Sequence, residues 1–292
     1  MIYGINGTPL SVACDSNGAS ISLAYDINGQ QIFTNKYDDY QETRLYSNPS
    51  RAQGIEIHDD IIVMWREGAS LSVIELRDAL SGTVISTLST TDMTTVHGND
   101  ISFSSEYYQS GDEFPLLYIG DKDGTEYCYR ITRESATLLR TYSCSGYGEL
   151  AGEFFDGAYL YTIGYKYNYR YSAGNYIMIM KWDMTNLTES DGVYIPEKVS
   201  EVHRDWLEAI QGVAYHDGLM WIACGLGGST GLNPGHIYAL NVKTGGIMLD
   251  LPLSYTGELE GLAWGYNNAD GWYMIVGNAG AGNYQITFEQ QT

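Results

Sequence analysis

Five copies of one local pattern, running from residue 51 to the C-terminal end, narrow the folds open to this chain more than any other feature. Each copy opens with a polar residue or two and usually a glycine. A short alternating strand, a turn and a more hydrophobic strand follow. The copies read QGIEIHDDIIVMW (53–65), HGNDISF with PLLYIG (97–103 and 115–120), LAGEFFDGAYLYTIG (150–164), IQGVAYHDGLMWIACG (210–225) and LEGLAWGYNNADGWYMIVG (259–277). Superposing Gly54, Asp100, Gly152, Gly212 and Gly261 gives spacings of 46, 52, 60 and 49 residues. Turns of Asp-Asp or Asp-Gly recur at Asp59-Asp60, Asp156-Gly157, Asp217-Gly218 and Asp270-Gly271, where short polar side chains and glycine favour chain reversal. A third strand follows in every copy (SLSVIEL, TEYCYRI, NYIMIMKW, GHIYALNV, NYQITFE), and a fourth in the first four, as in TVISTLS, TLLRTYS and GIMLDLPL.

Four short antiparallel strands repeated every ~40–50 residues mark a β-propeller blade, which buries both faces only when neighbours flank it. The ring must therefore close. The fifth copy stops after its third strand at Phe288, and Glu42-Thr43-Arg44-Leu45-Tyr46 reads as the missing fourth. The expectation is an all-β chain with a five-bladed propeller over 41–292. A six-bladed ring with residues 10–47 as a degenerate blade is the competing count. One segment departs from strand patterning: in EKVSEVHRDWLEAI (197–210), Val199, Val202, Trp206 and Ile210 recur at helical spacing and predict a helix.

Residues 1–40 carry a different period. YGINGTPLSVA, CDSNGASISLA and YDINGQQIFTN follow one another every 11 residues, with Asn6-Gly7, Asn17-Gly18 and Asn28-Gly29 in phase. Asn-Gly supplies the two φ-tolerant residues of a tight hairpin turn, and the flanks alternate apolar with polar. An 11-residue period also suits a helical supercoil, but glycine and asparagine in every unit argue against helix. Each unit has too few apolar side chains to fold alone, so this is a β-hairpin packing module for attachment or homo-oligomerisation.

Among the 292 residues, 44% are hydrophobic and 17% charged, a globular balance. Fifteen basic against 36 acidic residues leave a net charge of −21, which opposes nucleic acid or an anionic membrane as partner. No apolar run approaches the ~20 residues of a membrane span. The N-terminus lacks the charged and apolar regions of a secretory signal, so none is expected. Cys14, Cys128, Cys144 and Cys224 form no CxxC and read as isolated thiols. The 26 tyrosines suit strands and also polar ligand surfaces.

In a propeller the first strand of each blade lines the channel. The chain entering that strand and the hairpin between strands two and three share one face. That face would carry Arg66–Ser70, GDKDGT (120–125), YKYNYRYSAG (165–174), GLGGSTGLNPG (225–235), NAGAGN (278–283) and an insertion from Glu189 to Glu208. Two polar rings follow from the superposition: Arg51, His97, Glu149 and Glu258, then Gln53, Asn99, Gln211 and Glu260, with Asp100 at a reference position itself. Such a ring could hold a cation such as calcium, orient a sugar or serve as acid and base, although polar residues are also expected in any wet channel. No cofactor is otherwise called for. Tyr165, Tyr167, Tyr169 and Tyr171 alternate, so a strand would present them as one ladder for sugar stacking or protein docking, or would pack them on the next blade. GLGGSTGLNPG lacks the lysine and following helix of a phosphate loop, and GDKDGT lacks the later acidic ligand of a calcium loop. The candidate ligand contacts are thus His97, Asn99, Asp100, Gln211, Tyr165, Tyr167, Tyr169 and Tyr171. Glu149, Glu258 and Glu260 are the catalytic candidates if the protein is a polysaccharide-degrading hydrolase or lyase, for which two carboxyls must stand roughly 5–10 Å apart.

The unit Tyr25-Asp26-Ile27-Asn28-Gly29-Gln30-Gln31-Ile32 resembles the YDxNGxxI repeats of phage and prophage tail-associated proteins, which precede a variable functional domain. The match spans about 30 residues and degrades toward the N-terminus. The resemblance implies an attachment segment that meets other particle proteins, followed by a receptor-binding head, in a virion or at a cell surface. The reading favoured by these features is a non-enzymatic recognition propeller for a cell-surface glycan. Polysaccharide cleavage and a protein-docking scaffold are the two alternatives.

Overall fold

A computed structural model describes residues 2–3, 9–10, 23–25, 31–34, 40–46, 52–67, 72–90, 98–143, 149–165, 176–184, 188–190, 193–202, 210–225, 235–254, 257–268, 271–278 and 282–288. For 2–34, Asn99, Glu149 and 188–195 it describes the backbone alone.

Alternation of apolar and polar residues yields strands throughout, and the strands gather into five four-stranded antiparallel sheets. Blade 1 is Ala52–His58, Ile61–Arg66, Val73–Asp78 and Val84–Ser89. Blade 2 is Gly98–Phe103, Leu117–Asp121, Thr125–Ile131 and Ala136–Ser143. Blade 3 is Glu149–Phe155, Leu160–Tyr165, Ile177–Trp182 and Glu197–Val202. Blade 4 is Ile210–His216, Leu219–Cys224, His236–Asn241 and Ile247–Pro252. Blade 5 is Leu259–Asn267, Gly271–Asn278, Gly282–Phe288 and, from the other end of the chain, Tyr40–Tyr46. The fold is a five-bladed β-propeller.

The ring closes as the truncated fifth copy requires. Thr43 stands opposite Gln285 and Glu42 opposite Ile286 in the outer pairing of blade 5. Glu42 also accepts hydrogen bonds from the backbone N–H (2.9 Å) and the hydroxyl (2.6 Å) of Ser254, fastening the outer strand to blade 4. The Tyr40 hydroxyl donates to the Pro252 carbonyl on the same seam. Because Tyr40–Tyr46 completes blade 5, the six-bladed count is excluded.

Apolar side chains fill each seam between neighbouring blades. Trp65, Leu76, Ile101 and Tyr129 fill the seam of blades 1 and 2. Tyr118, Leu150 and Trp182 fill that of blades 2 and 3. Phe154, Ile179 and Ile222 occupy the next, Trp221, Trp264 and Met274 the fourth, and Ile55, Ile62 and Tyr273 the last. With five seams and five blades, no blade is buried without both neighbours. Cys128 and Cys224 are free and buried in these seams.

The helix expected at 197–210 is not formed over its first half. Glu197–Val202 is the outer strand of blade 3, with Val202 opposite Ile177 and Lys198 opposite Met180. Local periodicity favoured a helix, but the exposed edge of Ile177–Trp182 offered a ladder of backbone partners, and tertiary pairing overrode propensity. Residues 203–209 lie outside the described residues. The insertion of blade 3 is corrected too. Its described residues 188–190 and 193–196 lie between the third and outer strands of blade 3, on the opposite face from the one expected. They include a two-stranded ribbon, Thr188–Ser190 with Val193–Ile195, whose second strand lies against the outer strand of blade 2.

In the N-terminal repeat, Ile2–Tyr3 pairs with Pro9–Leu10 and Leu23–Tyr25 with Gln31–Thr34. Both hairpins enclose an Asn-Gly. The Asn6-Gly7 and Asn28-Gly29 turns expected between these strands lie outside the described residues. Asn17-Gly18 lies outside the described residues.

Candidate functional site

The superposed reference residues mark one structural event in every blade. Each inner strand has a register shift there, between Ala52 and Ile55, Gly98 and Asp100, Leu150 and Gly152, Ile210 and Gly212, and Leu259 and Leu262. A bulge bends the strand and frees a backbone amide. The bends bring backbones together at the waist. A Cβ on Gly54 would lie 2.6 Å from the Ile101 nitrogen, and one on Gly212 would lie 2.5 Å from the Gly261 Cα. Gly261 also holds φ at +110°, a conformation open to glycine. Inner strands of blades that are not neighbours, 2 with 4 and 5 and 1 with 4, also approach within 8 Å between Cα atoms.

Asp100, where the other blades carry glycine, fills the centre of this waist. It is fully buried, and its Oδ2 accepts the Val213 amide of blade 4 at 2.7 Å. Further carboxyls stitch blades in the same manner. Glu153 accepts the Gly120 amide of blade 2 at 2.8 Å and Glu56 the Phe103 amide of blade 2 at 3.4 Å, while a hydroxyl, that of Ser102, accepts the Phe155 amide of blade 3 at 3.2 Å; Glu56 also accepts the amide of Ile57 in its own strand at 2.9 Å. These groups are held toward their neutral forms because a charge in the protein interior loses its hydration. Burial pushes Glu126 up to about 8 and Glu56 up to about 7. Burial also pushes Asp100 well above the ordinary carboxylate range, and does the same to Glu153, with the charges of Glu126 and Asp100 adding to the effect. Neither oxygen of Glu126 has a hydrogen-bond partner. Among the described residues, no group of three or more His, Cys, Asp and Glu is placed to hold a metal ion.

The expected upper mouth is therefore partly structural. Asp100 is corrected from ligand contact to hub support, since burial removes it from any ligand. Tyr165 is corrected likewise: its ring is buried between blades 3 and 4, and its hydroxyl accepts the Ile210 amide at 2.7 Å. Gln211 and Glu258 do meet at the mouth, Gln211 Nε2 donating to Glu258 Oε1 at 3.1 Å. Glu260 beside them is nearly buried; burial and then the Glu258 charge push its carboxyl well up, against a hydrogen bond from Gln53. Glu149 stands opposite Tyr165 at the upper end of its strand, and Asn99 lies in the inner strand of blade 2. His97, Tyr167, Tyr169 and Tyr171 lie outside the described residues. In GDKDGT, Asp121 supports its own turn, its carbonyl accepting the Gly124 amide at 2.8 Å.

The opposite face holds what the sequence reading passed over. There the hairpin joining the first two strands of blade 5 extends beyond the disk, with Tyr266 directly across from Trp272. Tyr266 is 52% and Trp272 50% exposed, and their rings form an edge-to-face pair at 5.3 Å. His216 of blade 4 fixes the platform from behind, 4.1 Å from the Trp264 ring and 4.4 Å from that of Trp272. Beside the platform lies an open cleft of about 550 Å³ lined by Tyr266, Asn267 and Asn268 and by the blade 1 turn Asp59-Asp60. His58 and Ile61 pair across that two-residue turn, and Asp59 sits at φ 51°. A signal for this site was present: Tyr266 and Trp272 flank the NNADG turn symmetrically, so any hairpin there sets them side by side.

No protein-family model matches the chain, and no curated protein matches it. Among solved structures it is similar to the WD40 domain of Toxoplasma gondii coronin, at 10% identity over 88% of each chain with a TM-score of 0.44. It is also similar to the propeller domain of Myceliophteria thermophila Cps50 (Swd1), at 10% identity over 86% of this chain and 100% of that one, TM-score 0.42. The five-bladed assignment rests on the chain's own sheets and ring closure.

Proposed function

We propose that this propeller is a non-enzymatic recognition protein that binds a cell-surface carbohydrate on the face carrying Tyr266 and Trp272. The exposed ring pair beside a polar cleft carries the reading. Sugars present apolar C–H faces that stack on aromatic rings, and hydroxyls that need donors and acceptors at the side, here the carboxylates of Asp59 and Asp60 and the amides of Asn267 and Asn268. Carriage on a phage-like particle, with the N-terminal hairpins as the attachment segment, fits the YDxNGxxI resemblance and is part of the same proposal. A glycan array with the intact chain tests the binding. Specific sugar binding lost in Trp272→Ala at unchanged melting temperature supports the reading; no binding to any glycan, or binding indifferent to Trp272→Ala, overturns it.

A further inference from the structure

Aromatic surface continues beyond Asp59 toward blade 2. His58, the preceding residue, lies 6.5 Å from the ring of Tyr107 and 5.5 Å from that of Phe103, both of blade 2. Tyr107 is 47% and Tyr108 54% exposed. They stand in the long connection between the first two strands of blade 2, on the same face as the Asp59-Asp60 turn. Tyr108 is fixed by Arg130, whose guanidinium sits 5.1 Å from its ring centre. On this face, residues of three blades thus offer aromatic surface at each end of a track, with two exposed acidic residues and two amides between.

The charge along the track is one-sided. The arginines bordering it are already neutralised: Arg130 is paired with Asp112 at 2.6 and 3.0 Å, and Arg133 with Glu113 at 2.5 and 2.9 Å. Asp59 has a side chain 87% exposed, and among the described residues its cation-forming neighbour is His58 at 3.9 Å. The chain as a whole carries −21. An acidic sugar laid here would set carboxylate against carboxylate, a like-charge contact that selects against it.

We infer that the track from Trp272 and Tyr266 past Asp59 and Asp60 to Tyr107 and Tyr108 binds an extended oligosaccharide that carries no acidic groups. The inference rests on the carbohydrate reading above and adds to it the length and charge of the ligand. A second aromatic end does nothing for a single sugar, and it raises affinity only for a chain long enough to reach it.

The test uses the intact chain and isothermal titration with two-sugar and six-sugar forms of three probes: a neutral chitin oligomer, an amine-bearing chitosan oligomer and an acidic polygalacturonate oligomer. These follow a glycan array that establishes whether sugars bind at all. The expected result is that the bound six-sugar chains are neutral or amine-bearing and bind roughly tenfold more tightly than their two-sugar forms. The double variant Tyr107→Ala/Tyr108→Ala erases that gain with length, and Asp59→Asn/Asp60→Asn lets the acidic chain bind more tightly. Preference for the acidic oligomer, affinity independent of length, or a length effect that survives loss of both tyrosines overturns the inference and leaves the carbohydrate reading standing. An array on which no sugar binds overturns both.

Discussion

Carboxyl groups lie buried inside the waist of this molecule and aromatic rings lie in solvent at its lower rim, the reverse of the usual partition of residues. At the waist, Asp100 and Glu153 are fully buried and accept amides that the inner-strand bulges and their partners leave free. An inner strand has no sheet partner on the channel side, so something must satisfy its backbone, and a carboxyl from another blade does so without adding a sixth sheet. At the rim, Tyr266 and Trp272 have the paired backbone of a regular hairpin and leave their rings exposed. The comparison separates two uses of unusual residues. Those at the waist hold blades together, and those at the rim are free to meet something else.

Three experiments press on that distinction, the largest effect first. Gly212→Ala drives a Cβ to 2.5 Å from the Gly261 backbone, which cannot yield without moving a neighbouring blade. It is expected to cost about 3 kcal/mol, lowering the melting temperature by roughly 6 °C or more in calorimetry. A loss below about 1 kcal/mol would show that the waist is looser than these contacts imply.

A smaller effect is expected from pH. The folded chain keeps a proton on Glu126 up to about 8, where the unfolded chain has long released it. The folded state thus binds more protons, so stability is greatest in the carboxylate range and falls as pH rises toward about 8. Denaturant titrations from about pH 5 to about pH 9 should show this decline, flattened in Glu126→Gln, which keeps the shape without the acid. Equal slopes for both proteins would mean that Glu126 ionises freely.

The least effect on stability is expected at the rim. Tyr266→Ala should change unfolding free energy by no more than about 0.5 kcal/mol, while glycan affinity falls roughly tenfold. A large loss of stability with unaltered binding would move Tyr266 into the structural class with the waist.

Much of the architecture was legible before any coordinates. The repeat of about 50 residues, the missing strand after Phe288 and the spare strand at Glu42–Tyr46 together pointed to five blades and their mode of closure, and the pairing of Tyr40–Tyr46 in blade 5 removed the six-bladed alternative. The superposition of Gly54, Asp100, Gly152, Gly212 and Gly261 located the bulges without saying what they were for. The site was less legible. Asp100 and Tyr165 carry polar groups that a ligand could use, and nothing local tells that Val213 and Ile210 amides claim them first. Glu197–Val202 has a helical rhythm, and only the open edge of Ile177–Trp182 makes it a strand.

Residue order alone was enough for the blade repeat, the closing strand and the two-residue turns at Asp59-Asp60 and Asp217-Gly218, because strand period and turn chemistry act over a few residues and a repeat multiplies their signal. The burial of Asp100, the committed hydroxyl of Tyr165 and the track joining Trp272 to Asp59 and Tyr107 were decided by the ring. Each depends on residues from different blades, and their distances exist only once the five sheets have closed on one another.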